Sequence, residues 1–300
     1  MIKDTPQLLD SYRLIEYTKH VPCYICGEGN TFDAELCRHC QAPMALSHQS
    51  HSQKVAPQMI GCIGVSGVGK TVYLGMLLDI LSRQPDRMPI LARGAFSIAI
   101  QHATSSMLSR CEFPEKTPSE PDRWNWIHCQ LRPTHRRRPV ELIMPDVAGE
   151  SLVEEVDHPY TYPVVRSFLS KCSGALVLVD STKLHGGAHD QDYFGMKLLS
   201  YLNELDADAK KSWAVRPVSI VFTKADECED CFDNPDAFAK AHTPGIWQLC
   251  QERFKKCSFH ACGVAGGCAY QQEYNSRVRV PLRVEPRGVI EPFEWLVDRL

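Results

Sequence analysis

The hydrophobic rhythm of the chain changes near residue 56. Before that point apolar residues are scattered among polar ones; after it, short apolar runs alternate with stretches in which apolar residues recur every three or four positions. The short runs predict buried strands at 58–63, 125–131, 139–145, 174–180, 217–223 and 257–262. The helical spacing predicts helices at 71–83, 160–171, 190–205, 235–254 and 289–299, with "TVYLGMLLDILSR" the clearest case. Strands alternating with helices imply an α/β fold around a mostly parallel sheet. "WNWIHCQLRP" and "PVELIMPD", joined by "THRRR", read as a hairpin, so one edge strand is expected to be antiparallel. No internal repeat or low-complexity tract is visible.

The N-terminal part reads differently. "CYICGEGNTFDAELCRHC" spaces Cys23, Cys26, Cys37 and Cys40 as two C-x-x-C knuckles, the pattern of a four-cysteine zinc ribbon. Two knuckles make one tetrahedral site, and so short a segment needs metal for its folding energy. His39 lies inside the second knuckle and is not expected to be a ligand. Residues 1–22 form an extension and 23–40 the ribbon. "QAPMALSHQSHSQKV" (41–55) lacks a sustained apolar period and reads as a linker. Residues 56–300 form the main domain.

Composition narrows the setting. The chain has 300 residues, 44% hydrophobic and 23% charged, which is ordinary for a globular protein. Its net charge of −3 supplies no global field for nucleic acid or anionic membrane, so neither partner is indicated without a local patch. The first residues have no apolar core of the signal-peptide kind, and no run of 18 apolar residues predicts a membrane span. A cytoplasmic setting is expected, in which the 14 cysteines serve metal binding or core packing before disulfides.

The candidate chemistry begins at "GVSGVGKT" (64–71), which matches G-x-x-x-x-G-K-[ST] between a predicted strand and a predicted helix. Backbone N–H groups of Gly64, Ser66, Gly67, Val68 and Gly69 are expected to cradle phosphate. Lys70 is expected on the β- and γ-phosphates and Thr71 on Mg²⁺. In "ELIMPDVAGE", Asp146 ends an apolar strand and can bind Mg²⁺ through water, while the Gly149 N–H can contact the γ-phosphate. "RPVSIVFTKAD" runs a buried strand into Thr223-Lys224-x-Asp226. There the Asp226 carboxylate can accept from guanine N1–H and N2–H₂, a donor pair adenine lacks, and the Lys224 stem can lie along the base. "SFHACGVAGG" is fainter: the N–H near Ala261 or Cys262 is a candidate for guanine O6, against an ordinary strand-to-loop turn.

In this order the motifs resemble those of TRAFAC-type GTPases with a Ras-like fold, and more specifically the bacterial double-GTPase family. The resemblance rests on "SGVGKTVYLGML", "FPEKTP", "PDVAGE" and "PRGVIEPFEWL" and covers roughly residues 56–300. It implies GTP and GDP as ligands, a nucleotide-dependent switch, and a place in a bacterial multi-protein system. It also implies a switch residue in "CEFPEKTPSEPD", where Thr117 would reach Mg²⁺; the alternative is a proline-rich loop without a ligand.

The chain departs from the Ras-like pattern at Glu150, where many GTPases have Gln to orient the attacking water. Glu accepts a hydrogen bond from water but cannot also donate one to the phosphate, so slow hydrolysis is expected. Arg136, Arg137 and Arg138 read as a solvated cluster at a hairpin tip rather than an internal arginine finger. Cys228-x-x-Cys231 follows Asp226 without a partner knuckle and reads as incidental, with a second metal site as the alternative. The rival readings are a P-loop ATPase and a nucleotide-bound scaffold that docks a protein partner through the ribbon and switch loops without turnover.

Overall fold

A computed structural model describes residues 20–53, 57–84, 88–132, 139–205, 212–273 and 276–300. Most of the proposed extension 1–22 and the arginines 136–138 therefore lie outside the described residues. The ribbon pairs β1 (His20–Pro22) with β2 (Gly29–Thr31) and is followed by α1 (Met44–Gln53). The main domain then runs β3 (Gln58–Ile63), α2 (Lys70–Arg83), β4 (Ile90–Arg93), α3 (Gly94–Ser109), β5 (Asn125–Leu131), β6 (Val140–Asp146), α4 (Gly149–Asp157) and α5 (Pro163–Lys171). It continues through β7 (Gly174–Asp180), α6 (Ser181–His185), α7 (Asp190–Glu204), β8 (Val218–Thr223), α8 (Glu229–Asp233), α9 (Pro235–His242) and α10 (Pro244–Arg253). It closes with β9 (Cys257–Ala261), the hairpin β10 (Cys268–Glu273) and β11 (Ser276–Pro281), and α11 (Glu291–Val297).

Seven strands form one sheet in the order β4-β5-β6-β3-β7-β8-β9. The pairs β6–β3, β3–β7, β7–β8 and β8–β9 are parallel, whereas β5 runs antiparallel to both β6 and β4. The antiparallel pairing expected from the hairpin is present, and β4 continues the sheet beyond it. Every residue of β7 and β8 is buried, because helices cover both faces; this is why those strands read as unbroken apolar runs. The order reverses around β3, and the loops after β3, β6, β7 and β8 open on the same edge. In open α/β sheets ligands bind outside those strand ends.

The segment read as a linker contains α1. Its two large apolar residues, Met44 and Leu46, are at its start and both buried, so tertiary packing rather than periodicity holds this helix. Val21 of β1, Ile25 of the ribbon and Met44 of α1 share one apolar cluster with Phe168 and Leu169 of α5. The Tyr24 hydroxyl also donates to the Pro57 carbonyl, so the ribbon is seated on the main domain. The predicted helix 235–254 is two helices, broken at Pro244, whose missing N–H cannot continue the ladder of α9.

Candidate functional site

The loop between β3 and α2 turns through Gly69, at φ 99°, directly before the first residue of α2. That left-handed conformation suits glycine and lets the chain enter the helix with its amides facing inward. Lys70 is buried, and its ammonium donates to the Gly64 and Val65 carbonyls at 2.9 and 3.0 Å. Burial lowers its pKa, with Asp146 opposing. Ser66, Gly67, Val68, Gly69, Lys70 and Thr71 line a cleft of about 410 Å³. This volume lies within the range of about 300–1,000 Å³ found for small-ligand sites.

Three residues distant in sequence meet at one end of the cleft. Thr71 Oγ1 donates to Asp146 Oδ2 at 2.9 Å, and Thr117 Oγ1 donates to the same oxygen at 3.1 Å. The two hydroxyls are 3.2 Å apart. Asp146 Oδ1 is buried and has no hydrogen-bond partner. Burial pushes this carboxyl up, although Thr71, Lys70 and Thr117 pull it down. An orphaned carboxylate oxygen beside two hydroxyls is a donor set of the hard, oxygen-only kind that Mg²⁺ takes. The residues present therefore fit the ion.

Gly149 opens α4 against this point. A Cβ there would lie 2.2 Å from the Ser66 amide nitrogen, so only glycine lets α4 approach the phosphate loop. Glu150 follows at the cleft wall, about half exposed, with Lys116 Nζ 4.0 Å from its carboxylate. Partial burial raises its pKa, but a hydrogen bond with Ser66, its own amide, Lys116 and Lys70 outweigh that and bring it below the ordinary value.

The other end is built from the strand ends of β7 and β8. Lys224 takes a left-handed conformation, φ 58°, and its ammonium pairs with Asp180 Oδ2 at 2.5 Å. Asp180 also accepts from Thr182 and caps α6. Burial would raise the Asp180 pKa, but Lys224 and Thr182 outweigh it and hold the carboxyl low. Asp226 lies in the cleft with Oδ2 buried and unpartnered. Burial pushes its pKa up, opposed by its own amide, Arg279 and Lys224. Gly263 packs against it, since a Cβ there would sit 2.5 Å from Asp226 Oδ1.

Two expectations change here. Thr223 lines the cleft, but its hydroxyl braces the loop, donating to the Val68 carbonyl at 2.8 Å with the Val179 carbonyl 3.2 Å away. The Cys262 N–H is occupied by the Phe222 carbonyl at 2.8 Å, and Ala261 ends β9 outside the cleft lining. Neither is placed to donate to a base; Val264 and Ala265 are the loop residues that line the cleft farther on. The motifs did not reveal Asp180, Phe113 or Arg279. Arg279 comes from β11, pairs with Glu227 and lies 5.6 Å from the Phe113 ring centroid, so it closes the cleft beside Asp226. Only the strand register brings it there.

In the ribbon, the sulfurs of Cys23, Cys26, Cys37 and Cys40 all lie within 4.8 Å of one another. The pairs Cys23–Cys40 and Cys26–Cys37 are 3.7 and 3.6 Å apart. A tetrahedron with Zn–S bonds of about 2.3 Å has edges near these values. Backbone amides of Ile25 and His39 point at the Cys23 and Cys37 sulfurs at 3.4 and 3.5 Å, as does the Asn30 side-chain amide at Cys37 at 3.5 Å. Donors aimed at sulfur suit thiolates, and the set is compatible with Zn²⁺. The His39 side chain is not part of it. Cys228 and Cys231 are buried, and no second cysteine set converges among the described residues. Asp226, Glu227 and Cys268 approach one another, but Arg279 already supplies the positive charge there.

A family model described as Double-GTPase 2 matches residues 58–259. The chain belongs to this family. Membership makes it a P-loop GTP-binding protein of the double-GTPase type, in agreement with the sheet and the loops above. Solved structures resemble it more loosely. The GTPase-like domain of Ski7 from S. cerevisiae is 17% identical in its GTP-bound form (TM-score 0.41, 71% of this chain and 44% of that one). Bound to GDP and inorganic phosphate, it is 16% identical (TM-score 0.37, 71% and 45%). Roco2 RocCORdC from Methanosarcina barkeri, bound to GDP, is 14% identical (TM-score 0.30, 70% and 44%). The chain spans less than half the length of each of these. A comparison with curated proteins finds no match.

Proposed function

We propose that the double-GTPase-family cleft binds GTP and GDP, hydrolyses GTP slowly, and uses the loops carrying Thr117 and Gly149 as a switch read by a protein partner. The observation that carries this reading is the meeting of the Thr71 and Thr117 hydroxyls on Asp146 Oδ2, beside the buried and unpartnered Oδ1 of the same carboxylate. Thr117 lies on the Pro-rich loop, so a ligand at that point holds the loop in place.

Each residue then has a defined task. The Lys70 ammonium leaves the Gly64 and Val65 carbonyls for the β- and γ-phosphates. Thr71, Thr117 and Asp146 would hold Mg²⁺, which would supply positive charge against the phosphates. The Gly149 N–H faces the γ-phosphate. Asp226 accepts from the two guanine donors, which pairs its orphaned Oδ2. Asp180 fixes Lys224 so that its stem lies along the base. An adenine would leave the buried Asp226 oxygen unpaired, which weighs against the ATPase reading. Glu150 accepts from the attacking water but has no hydrogen to donate to the phosphate, hence slow turnover.

The scaffold reading without turnover has one feature in its favour. Glu150 stands where many GTPases have Gln, and its carboxylate has no hydrogen to donate to the transferring phosphate. The ribbon, with Zn²⁺ as a structural ion, offers the second docking surface of a multi-protein system. A cytoplasmic setting completes this reading; no helix among the described residues is long and apolar enough to cross a membrane.

Two measurements separate these readings. Competition of unlabelled GTP, GDP and ATP against a fluorescent GTP analogue should show both guanine nucleotides displacing it and ATP failing; equal displacement by ATP restores the ATPase reading. Single-turnover assay of bound GTP should show slow phosphate release above the solution background; none at all leaves the scaffold.

A further inference from the structure

On the opposite edge of the sheet, the ribbon and α5 enclose a second, larger cleft of about 1140 Å³. Gln58 at the start of β3, Ser173 before β7 and Pro217 before β8 form its floor, so it lies at the N-terminal strand ends, away from the nucleotide. Arg166, Lys171, Arg216, Lys256 and Arg299 line it, and among the described residues no Asp or Glu does. In a chain of net charge −3 this is a local reversal of sign. Two of these cations contact neutral groups: Lys256 donates to the Arg299 carbonyl at 3.0 Å, and Arg299 donates to the Trp295 carbonyl at 3.0 Å. Lys171 Nζ lies 3.5 Å from the Tyr24 ring centroid and faces the ribbon cysteines, so part of its charge is already met there. Lys256 and Arg299 thereby keep positive charge for an incoming anion.

The rim adds an aromatic ring in an unusual state. Tyr160 is 71% exposed yet sits at φ 77°, a left-handed conformation rare for a bulky residue. A fully buried carboxylate holds it there: Glu155 accepts from the Tyr160 and Tyr162 amides at 3.0 and 2.7 Å, and from the Tyr201 hydroxyl at 2.5 Å. The Arg166 guanidinium lies 4.3 Å from the Tyr160 ring centroid. A strained, exposed ring maintained by a buried network is the kind of outlier from which a function is inferred.

We propose that this cleft binds single-stranded nucleic acid, with its cations on successive phosphates and Tyr160 stacking a base. A basic groove combined with an aromatic platform is how such strands are held without sequence readout. An acidic peptide would engage the cations equally but would leave the Tyr160 platform without a role. The proposal is independent of the guanine site, which lies at the other edge of the sheet.

The test uses the full, zinc-loaded chain and a short fluorescein-labelled oligouridine, followed by anisotropy over a salt series. Affinity should fall steeply with salt. Lys256→Glu with Arg299→Glu should weaken binding roughly tenfold or more and flatten the salt dependence. Tyr160→Ala should weaken it roughly fivefold or more with the salt slope unchanged, and Tyr160→Phe should restore it. Every variant should still bind the fluorescent GTP analogue, which reports that the domain is folded. Absence of salt-sensitive binding by the wild type overturns the proposal, as does binding that ignores both sets of variants. Loss through the cation variants alone, with Tyr160→Ala neutral and polyglutamate binding as tightly as oligouridine, assigns the cleft to acidic peptide instead.

Discussion

Lys70 and Glu150 both line the nucleotide cleft and are expected to behave in opposite ways. Lys70 donates only to carbonyls of its own loop. Lys70→Ala removes the charged phosphate donor and should weaken GTP binding roughly ten- to a hundredfold, the size of a lost charge-assisted hydrogen bond. Titration with a fluorescent GTP analogue checks this, and normal affinity in a folded variant contradicts the phosphate assignment. Glu150→Gln supplies the missing donor and should raise the single-turnover rate, leaving affinity within a few-fold. An unchanged rate would mean that another group positions the water. At this scale the sequence was legible where a motif fixes spacing, as for Thr71, Asp146 and Asp226. Asp180 and Arg279 escaped notice because no motif links them to residues they meet through β7 and β11. Ala261 and Cys262 misled because the strand pattern does not say which N–H the sheet uses, and the Cys262 N–H goes to Phe222.

Among the elements, α4 is the one most tightly tied to the site. Gly149→Ala would bring a methyl group to 2.2 Å from the Ser66 amide nitrogen, so α4 must lift from the phosphate loop. A loss of about 1–3 kcal/mol in stability is expected from such overpacking, together with loss of hydrolysis. Urea unfolding and phosphate release measure the two effects; a variant with both intact would show that the contact is not needed. In β9, burial brings the His260 pKa from 6.5 down to about 4, despite Glu291, and Nε2 has no hydrogen-bond partner. Between these values the unfolded chain binds the proton and the folded chain does not. Stability should therefore fall as pH drops from about 6.5 to about 4, and His260→Gln should flatten that part of the melting profile. The long apolar strands were readable because both sheet faces are covered. Helix α3 was not: Ile98 is exposed and Thr104 is buried against Gly75 of α2, so its buried face is not an apolar stripe. The hairpin β10–β11 stands outside the main sheet and follows no buried run.

At the scale of the whole molecule, the ribbon is not a freely tethered module. It shares an apolar cluster with α5, and Lys171 packs on its Tyr24. Cys23→Ser with Cys26→Ser should release about one zinc per chain. It should also lower the melting temperature of the main domain, measured by calorimetry with parallel metal analysis. An undisturbed melt would restore the picture of two modules joined by a linker, which the polar stretch 41–55 suggests when the packing of α1 is left out. The central claim remains that Asp226 reads guanine, and nucleotide exchange on Asp226→Asn tests it most directly. The change turns two acceptors into one acceptor and one donor. Sites that pair a buried group in this way discriminate by ~10⁴-fold or more. Competition binding should show the variant losing GTP and gaining xanthosine triphosphate, whose carbonyl replaces the guanine amino group, while ATP stays excluded. A variant that still prefers GTP over both would contradict the account.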